Sequence, residues 1–265
     1  MPQPVTVFLR QGLMLKAAIA ACLKKASPAR VHHLRSTTRR IEATLELLVL
    51  SADISRDGIS RIDKQSKPLQ RSLRNVRRAA GNVRDADVQS DLLAAYNRTP
   101  DTNRLREDLT ARRKKAERNL IKRLKQEQKR IELRLHNLEA SLSPALDLNL
   151  SGAKLITVTQ TWFAENIRGL DPHHDQDLHT LRKASKTARY LAETGVDASK
   201  AVATLATRYE AAQKSLGEWH DHFLLLHQAH TRLPPDSETI EQIQQDMERL
   251  HQRADAAASH LLATA

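Results

Sequence analysis

Residues 31–48 read "VHHLRSTTRRIEATLELL", and residues 178–195 read "LHTLRKASKTARYLAETG". In the first stretch Val31, Leu34, Thr38, Ile41, Leu45 and Leu48 recur at spacings of three and four, the apolar stripe of a bundle helix. Laid on the second, His32 meets His179, Leu34 meets Leu181, Arg35 meets Arg182 and Arg39 meets Lys186. A second pair follows in the same order, "RRAAGNVRDADV" (77–88) and "QKSLGEWHDHFL" (213–224). There Arg78 matches Lys214, Gly81 matches Gly217, Arg84 matches His220 and Asp85 matches Asp221. The offsets are 147 and 136 residues, so the halves differ by 11 residues in the stretch between the two motifs. Two ordered matches predict a duplicated four-helix unit, with two bundles facing each other across a pseudo-two-fold axis.

The rest of the chain reads the same way. Helical periodicity predicts helices over 6–25, 29–50, 59–80, 82–96, 105–142, 152–168, 175–193, 197–216, 217–232 and 237–262. Breaks are expected at "NRTPDTN", "GLDPHHD", "TGVD" and "LPPDSE". The fold class is all-α. One domain is expected over 5–262, with helical halves at about 5–143 and 152–262. Composition agrees: of 265 residues 40% are hydrophobic but only 3% aromatic, and there are seven Gly, a poor mixture for sandwiches and barrels. No Gly-rich phosphate loop follows a strand-like run. The single Cys22 excludes an intrachain disulfide framework and suits a reducing, cytoplasmic setting. No run approaches 18 apolar residues; Arg10 and Lys16 interrupt the N-terminal segment, which reads as the first helix of the fold rather than a membrane span or export signal.

Lys and Arg number 43 against 31 Asp and Glu, a net charge of +12. Two stripes concentrate the interest. His32, Arg35 and Arg39 lie within about 60° on one helix face, and His179, Arg182, Lys186 and Arg189 within about 80° on the other. Each adjoins the apolar stripe, so its cations stand beside the bundle seam, where partial desolvation strengthens anion contacts. A solvated face laced with i,i+4 ion pairs is the alternative. It needs acidic neighbours that both stripes mostly lack, Glu42 being the main exception. The repeated glycines read either as close helix contacts or as C-caps between consecutive helices. Asp85 and Asp221 read as orienting neighbouring Arg or His. Residues 104–134 hold 13 Lys and Arg against five acids, most of the net charge. In that helix Arg112 and Arg113 occupy an apolar slot and should face an acidic partner or an anion. His220, His227 and His230 could share a helical face around a metal, but no HExxH or paired ExxH occurs, so no metal or cofactor is expected. No G-x-S-x-G is present, and no catalytic residue is assigned.

The motifs "VHHLRSTTRR" (31–40), "VRDADV" (83–88), "LHTLRKASKTARY" (178–190) and "LGEWHDHF" (216–223) resemble those of the CHAD family, the conserved histidine α-helical domain. The resemblance covers about residues 5–262. It implies two four-helix bundles around a basic central cavity that binds inorganic polyphosphate, in proteins often associated with polyphosphate granules. Three positions depart: Glu42 and Thr187 stand where the family often carries basic residues, and His220 where Asn is common. The departures imply a thinner lining that gains charge near pH 6.5.

The expected function is non-enzymatic polyphosphate binding through His32, Arg35, Arg39, Arg40, Arg77, Arg78, Arg84, Arg112, Arg113, His179, Arg182, Lys186, Arg189, Lys214 and His220. Other polyanions and granule-associated proteins are further expected partners. The competing readings are a general nucleic-acid-binding helical protein, against which the scarcity of aromatics for base stacking argues, and a phosphohydrolase, which would need a carboxylate cluster for divalent metal.

Overall fold

The structure is a computed structural model that describes residues 3–51 and 55–264. Among these the fold is all-α, with eight helices: α1 (Pro4–Lys24), α2 (Pro28–Leu50), α3 (Arg56–Leu93), α4 (Pro100–Glu139), α5 (Gly152–Ile167), α6 (Asp175–Glu193), α7 (Lys200–Arg232) and α8 (Glu238–Ala263). The six α2 stripe residues from Val31 to Leu48 are all fully buried. Along α4, Leu105, Leu109, Ala116, Leu120, Leu124, Ile131, Leu135 and Leu138 are buried too, as the spacing requires.

Ten expected helices become eight because α3 runs through Gly81 and α7 through Gly217, where the sequence suggested boundaries. An interior Gly costs roughly 1 kcal/mol against Ala. Each fully buried Val or Leu side chain stabilises by roughly 1.5–3 kcal/mol, an Ala methyl by less. Val76, Ala80 and Val83 bury one unbroken stripe past Gly81, and Ala212, Leu216 and Trp219 do so past Gly217, so packing wins. The start of α4 also moves. Within "NRTPDTN", Thr99 accepts from the Thr102 N–H while the Thr102 hydroxyl accepts from the Thr99 N–H. This capping box, with Pro100 in the first turn, begins a helix in a stretch expected to be a break.

Each helix packs on the next within a half, α1 to α4 and α5 to α8. In the first half α1 also returns to α4; in the second α5 packs on α7 and α6 on α8. The halves meet where α2 lies against α6 and α3 against α7. One apolar core draws on every helix, from Phe8 of α1 to Leu261 of α8. A smaller cluster (Leu93, Leu105, Leu109, Leu225 and Ile243 among its members) joins α3 and α4 to α7 and α8 away from it. The N-terminal helix α1 is long and apolar enough, by length and composition, to cross a bilayer. In the fold it is a bundle helix, burying Phe8, Leu15, Ile19 and Cys22.

Candidate functional site

Where α2, α3, α6 and α7 converge they enclose a recess of about 400 Å³. Its wall is assembled from the repeated motifs of both halves. Six cations line it: Arg35 and Arg39 from α2, Arg84 from α3, Arg182 and Lys186 from α6, and Lys214 from α7. Against them stand three carboxylates, Asp85, Glu218 and Asp221. His32, His220 and Tyr190 complete the titratable lining. None of the six cations makes an ion pair within 4.0 Å among the described residues, although paired arginines surround the recess.

Arg35 is held by the backbone of α3. Its Nη1 donates to the Arg77 carbonyl oxygen at 3.0 Å, and a β-carbon built on Gly81 would stand 2.7 Å from that same Nη1. Gly81 is therefore a close-approach glycine inside a helix, whereas nothing lies within 4 Å of a β-carbon at Gly217. Arg182, the counterpart of Arg35, has a buried Nε with no hydrogen-bond partner among the described residues. Asp85 and Asp221 act on these guanidinia through space, since neither carboxylate is hydrogen-bonded to them among the described residues. Burial in the recess raises both carboxyls, Arg35 chiefly opposing the rise at Asp85 and Arg182 at Asp221.

Crowded, desolvated positive charge shapes the rest. Burial, then the charges of Arg182, Arg39 and Arg35, pushes Lys186 down to about 7. Arg39 falls to about 10 for the same reasons, with Arg77 its main like-charged neighbour. His220 and His179 pack ring against ring, with centroids 4.6 Å apart and planes tilted by 39°. Burial first and Arg182 second hold His220 at about 3, and burial with Lys183 holds His179 at about 4. The expectation that His220 gains charge near pH 6.5 is thus corrected: it is neutral through the physiological range. His32 is also lowered, by burial and then by Arg84.

Of the residues singled out in the sequence, the recess gathers His32, Arg35, Arg39, Arg84, Arg182, Lys186, Lys214 and His220, with His179 packed behind. It does not gather the others. Arg40 Nε and Arg189 Nε both meet Glu193, at 3.0 and 3.2 Å, and their guanidinium carbons lie 5.4 and 4.9 Å from the Tyr190 ring centroid. Arg189 also reaches Glu210 at 2.8 Å. Arg77 pairs with Glu42. Arg113 pairs with Asp87 at 2.8 Å and Glu117 at 2.6 Å and donates to the Ala26 carbonyl at 2.7 Å, so the inward arginine of α4 faces acids. Arg112 donates to Gln228 of α7. Arg78 sits outside the recess, in a groove between α3 and α4. Sequence reasoning missed Ser36, Tyr190, Gln213 and Glu218, which also line the recess. Two were within reach of the pattern: Ser36 lies one turn beyond His32, and Gln213 precedes Lys214.

The histidines proposed for metal separate. His220 faces the recess, while His227 and His230 line a groove with His251 and Asp175. Among the described residues no group of three or more His, Cys, Asp or Glu is arranged to hold an ion. Cys22 is buried, and burial raises its thiol to about 11, far from a reactive thiolate.

The family model of the CHAD domain matches residues 13–230. Among solved structures, the CHAD domain from the plant Ricinus communis is similar at 19% identity and a TM-score of 0.64, covering 96% of this chain and 90% of that one. PptA from Streptomyces chartreusis is similar at 15% identity and a TM-score of 0.67, with all of both chains covered. No curated protein matches.

Proposed function

Since the chain belongs to the CHAD domain family, we propose that it binds inorganic polyphosphate in the central recess and does no chemistry on it. One observation carries the reading: six cations from four helices, none ion-paired among the described residues, converge on one recess. Unpaired guanidinia in a desolvated wall are costly and look for anionic oxygen. Arg35, Arg39, Arg84 and Arg182 offer forked N–H donors for phosphate, and Lys186 and Lys214 offer point charges. Neutral His32 donates a single N–H, whichever tautomer the ligand selects. Polyphosphate carries acceptor oxygens and negative charge on every phosphorus, and a chain can touch both halves of the recess at once. The two recess carboxylates from the repeated motif favour the charged form of the arginines through space, with no metal in the scheme. Association with cytoplasmic polyphosphate granules follows as the setting we propose for this activity.

The test is an isotherm with long-chain polyphosphate at about 150 mM salt, where exposed charges are largely screened. The variant Arg35→Ala/Arg182→Ala should lose on the order of tenfold or more in affinity with an unchanged far-UV spectrum. Binding equal to wild type in that variant would sink the assignment.

A further inference from the structure

Arg78 belongs to the repeated motif yet faces away from the recess, and its surroundings form a second site. The helices α3 and α4 run antiparallel, and their register is fixed by contacts along their length. Arg106 donates to the Leu93 carbonyl, Arg113 to Asp87, Asn75 to Glu127 and Arg134 to the Pro68 carbonyl. The same register sets Asn75 opposite Gln126, Arg78 opposite Lys122 and Arg123, and Asn82 opposite Asn119. These side chains, with Ala79 as a small residue between them, line a groove of about 490 Å³ on the outer face. Each wall spans two helical turns, about 10 Å.

The order of groups along the groove is chemically specific. A cationic rung (Arg78, Lys122 and Arg123) lies in the middle, with a carboxamide rung on either side. No carboxylate lines the groove, and none of the three cations is ion-paired among the described residues. Polyphosphate would offer acceptors to all three rungs and leave the amide carbonyls facing like polarity. A phosphodiester between two hydroxylated sugars offers what the order calls for: an anion in the middle, and on each side hydroxyls that both donate and accept. No aromatic side chain lines the groove, so it has no platform for base stacking and reads backbone. We infer that the α3–α4 groove binds the ribose–phosphate backbone of single-stranded RNA, independently of the central recess.

The test uses a fluorescently labelled oligouridylate at about 150 mM salt, followed by anisotropy. Wild type should bind. Arg78→Gln/Arg123→Gln should weaken binding on the order of tenfold, while Arg35→Ala/Arg182→Ala binds the RNA as wild type does. Asn82→Ala/Asn119→Ala should erase most of the preference for the RNA over the deoxy strand. All four groove positions are exposed, and ultraviolet cross-linking to the unmodified protein should mark α3 and α4 peptides. The inference is overturned by undiminished binding in the Arg78/Arg123 variant, by loss in the Arg35/Arg182 variant, by cross-links confined to α2 and α6, or by equal competition from DNA or polyphosphate at matched phosphate. Polyphosphate binding to the Arg78/Arg123 variant reports separately on the recess, so the two assignments fail independently.

Discussion

The guanidinium of Arg35 rests on the one face of α3 that has no side chain, above Gly81, with Nη1 2.7 Å from where a β-carbon would stand. The residue that obstructs a substitution there is the mobile end of a long side chain, so the helix itself need not move. Stability and binding should therefore separate. Gly81→Ala is expected to leave the unfolding free energy in urea unchanged or raise it by up to about 1 kcal/mol, while polyphosphate affinity falls several-fold as Arg35 is displaced. Gly217→Ala meets nothing and should gain roughly 0.5–1 kcal/mol. A Gly81→Ala protein that loses stability but keeps its affinity would contradict this reading of the pair.

Binding should take up a proton. Lys186 sits at about 7 in the folded protein against an ordinary 10.5, so at pH 8 it is largely neutral. An anion beside it favours the charged form and raises its pKa. Calorimetry at pH 8 in buffers of different ionisation heat should show proton uptake, and affinity should fall as pH rises from 7 to 9. In Lys186→Met the uptake at that pH should vanish.

The packed histidines give the free protein an acid-side dependence of opposite origin. His220 and His179 titrate near 3 and 4 when folded and near 6.5 when unfolded. Between those values the unfolded chain holds more protons, so stability present above pH 6.5 is lost as pH falls toward 3. The raised carboxyls of Asp85 and Asp221 change stability in the contrary direction, which makes a difference between variants the clean measurement. His220→Asn should flatten the fall in denaturant midpoint between pH 6.5 and 4 relative to wild type; an unaltered slope would count against the assigned burial.

Glu193 holds Arg40 of α2 and Arg189 of α6, and so bridges the halves. All three side chains are partly open to water, which limits the contribution to about 1 kcal/mol. Glu193→Gln is expected to lower thermal stability modestly and to leave polyphosphate affinity within twofold, because neither arginine lines the recess. A large loss of affinity would place Arg40 or Arg189 among the ligand contacts.

Much of this was legible beforehand, and the exceptions share a cause. Periodicity located the α2 and α4 stripes residue by residue, and the internal match paired Arg35 with Arg182 and Arg84 with His220, all four of which line the recess. What a one-dimensional reading cannot weigh is an acid brought by another helix. Arg77 finds Glu42 at 35 residues' separation and Arg40 finds Glu193 at 153, outside any i±4 test. The same holds for Gly81, whose reason is a guanidinium from a different helix, and for His220, whose charge is suppressed by burial that only packing creates.

The recess has no owner in either half. Arg35, Arg39 and Arg84 come from one repeat and Arg182, Lys186 and Lys214 from the other, brought face to face where α2 meets α6 and α3 meets α7. A protein made of a single repeat would display half a ring of like charge and would need a second copy of itself to close it, at a cost set by concentration. Joining the repeats in one chain turns that encounter into an intramolecular one. It also leaves the two motifs free to differ, as where one carries Arg84 and the other His220 on the same recess wall.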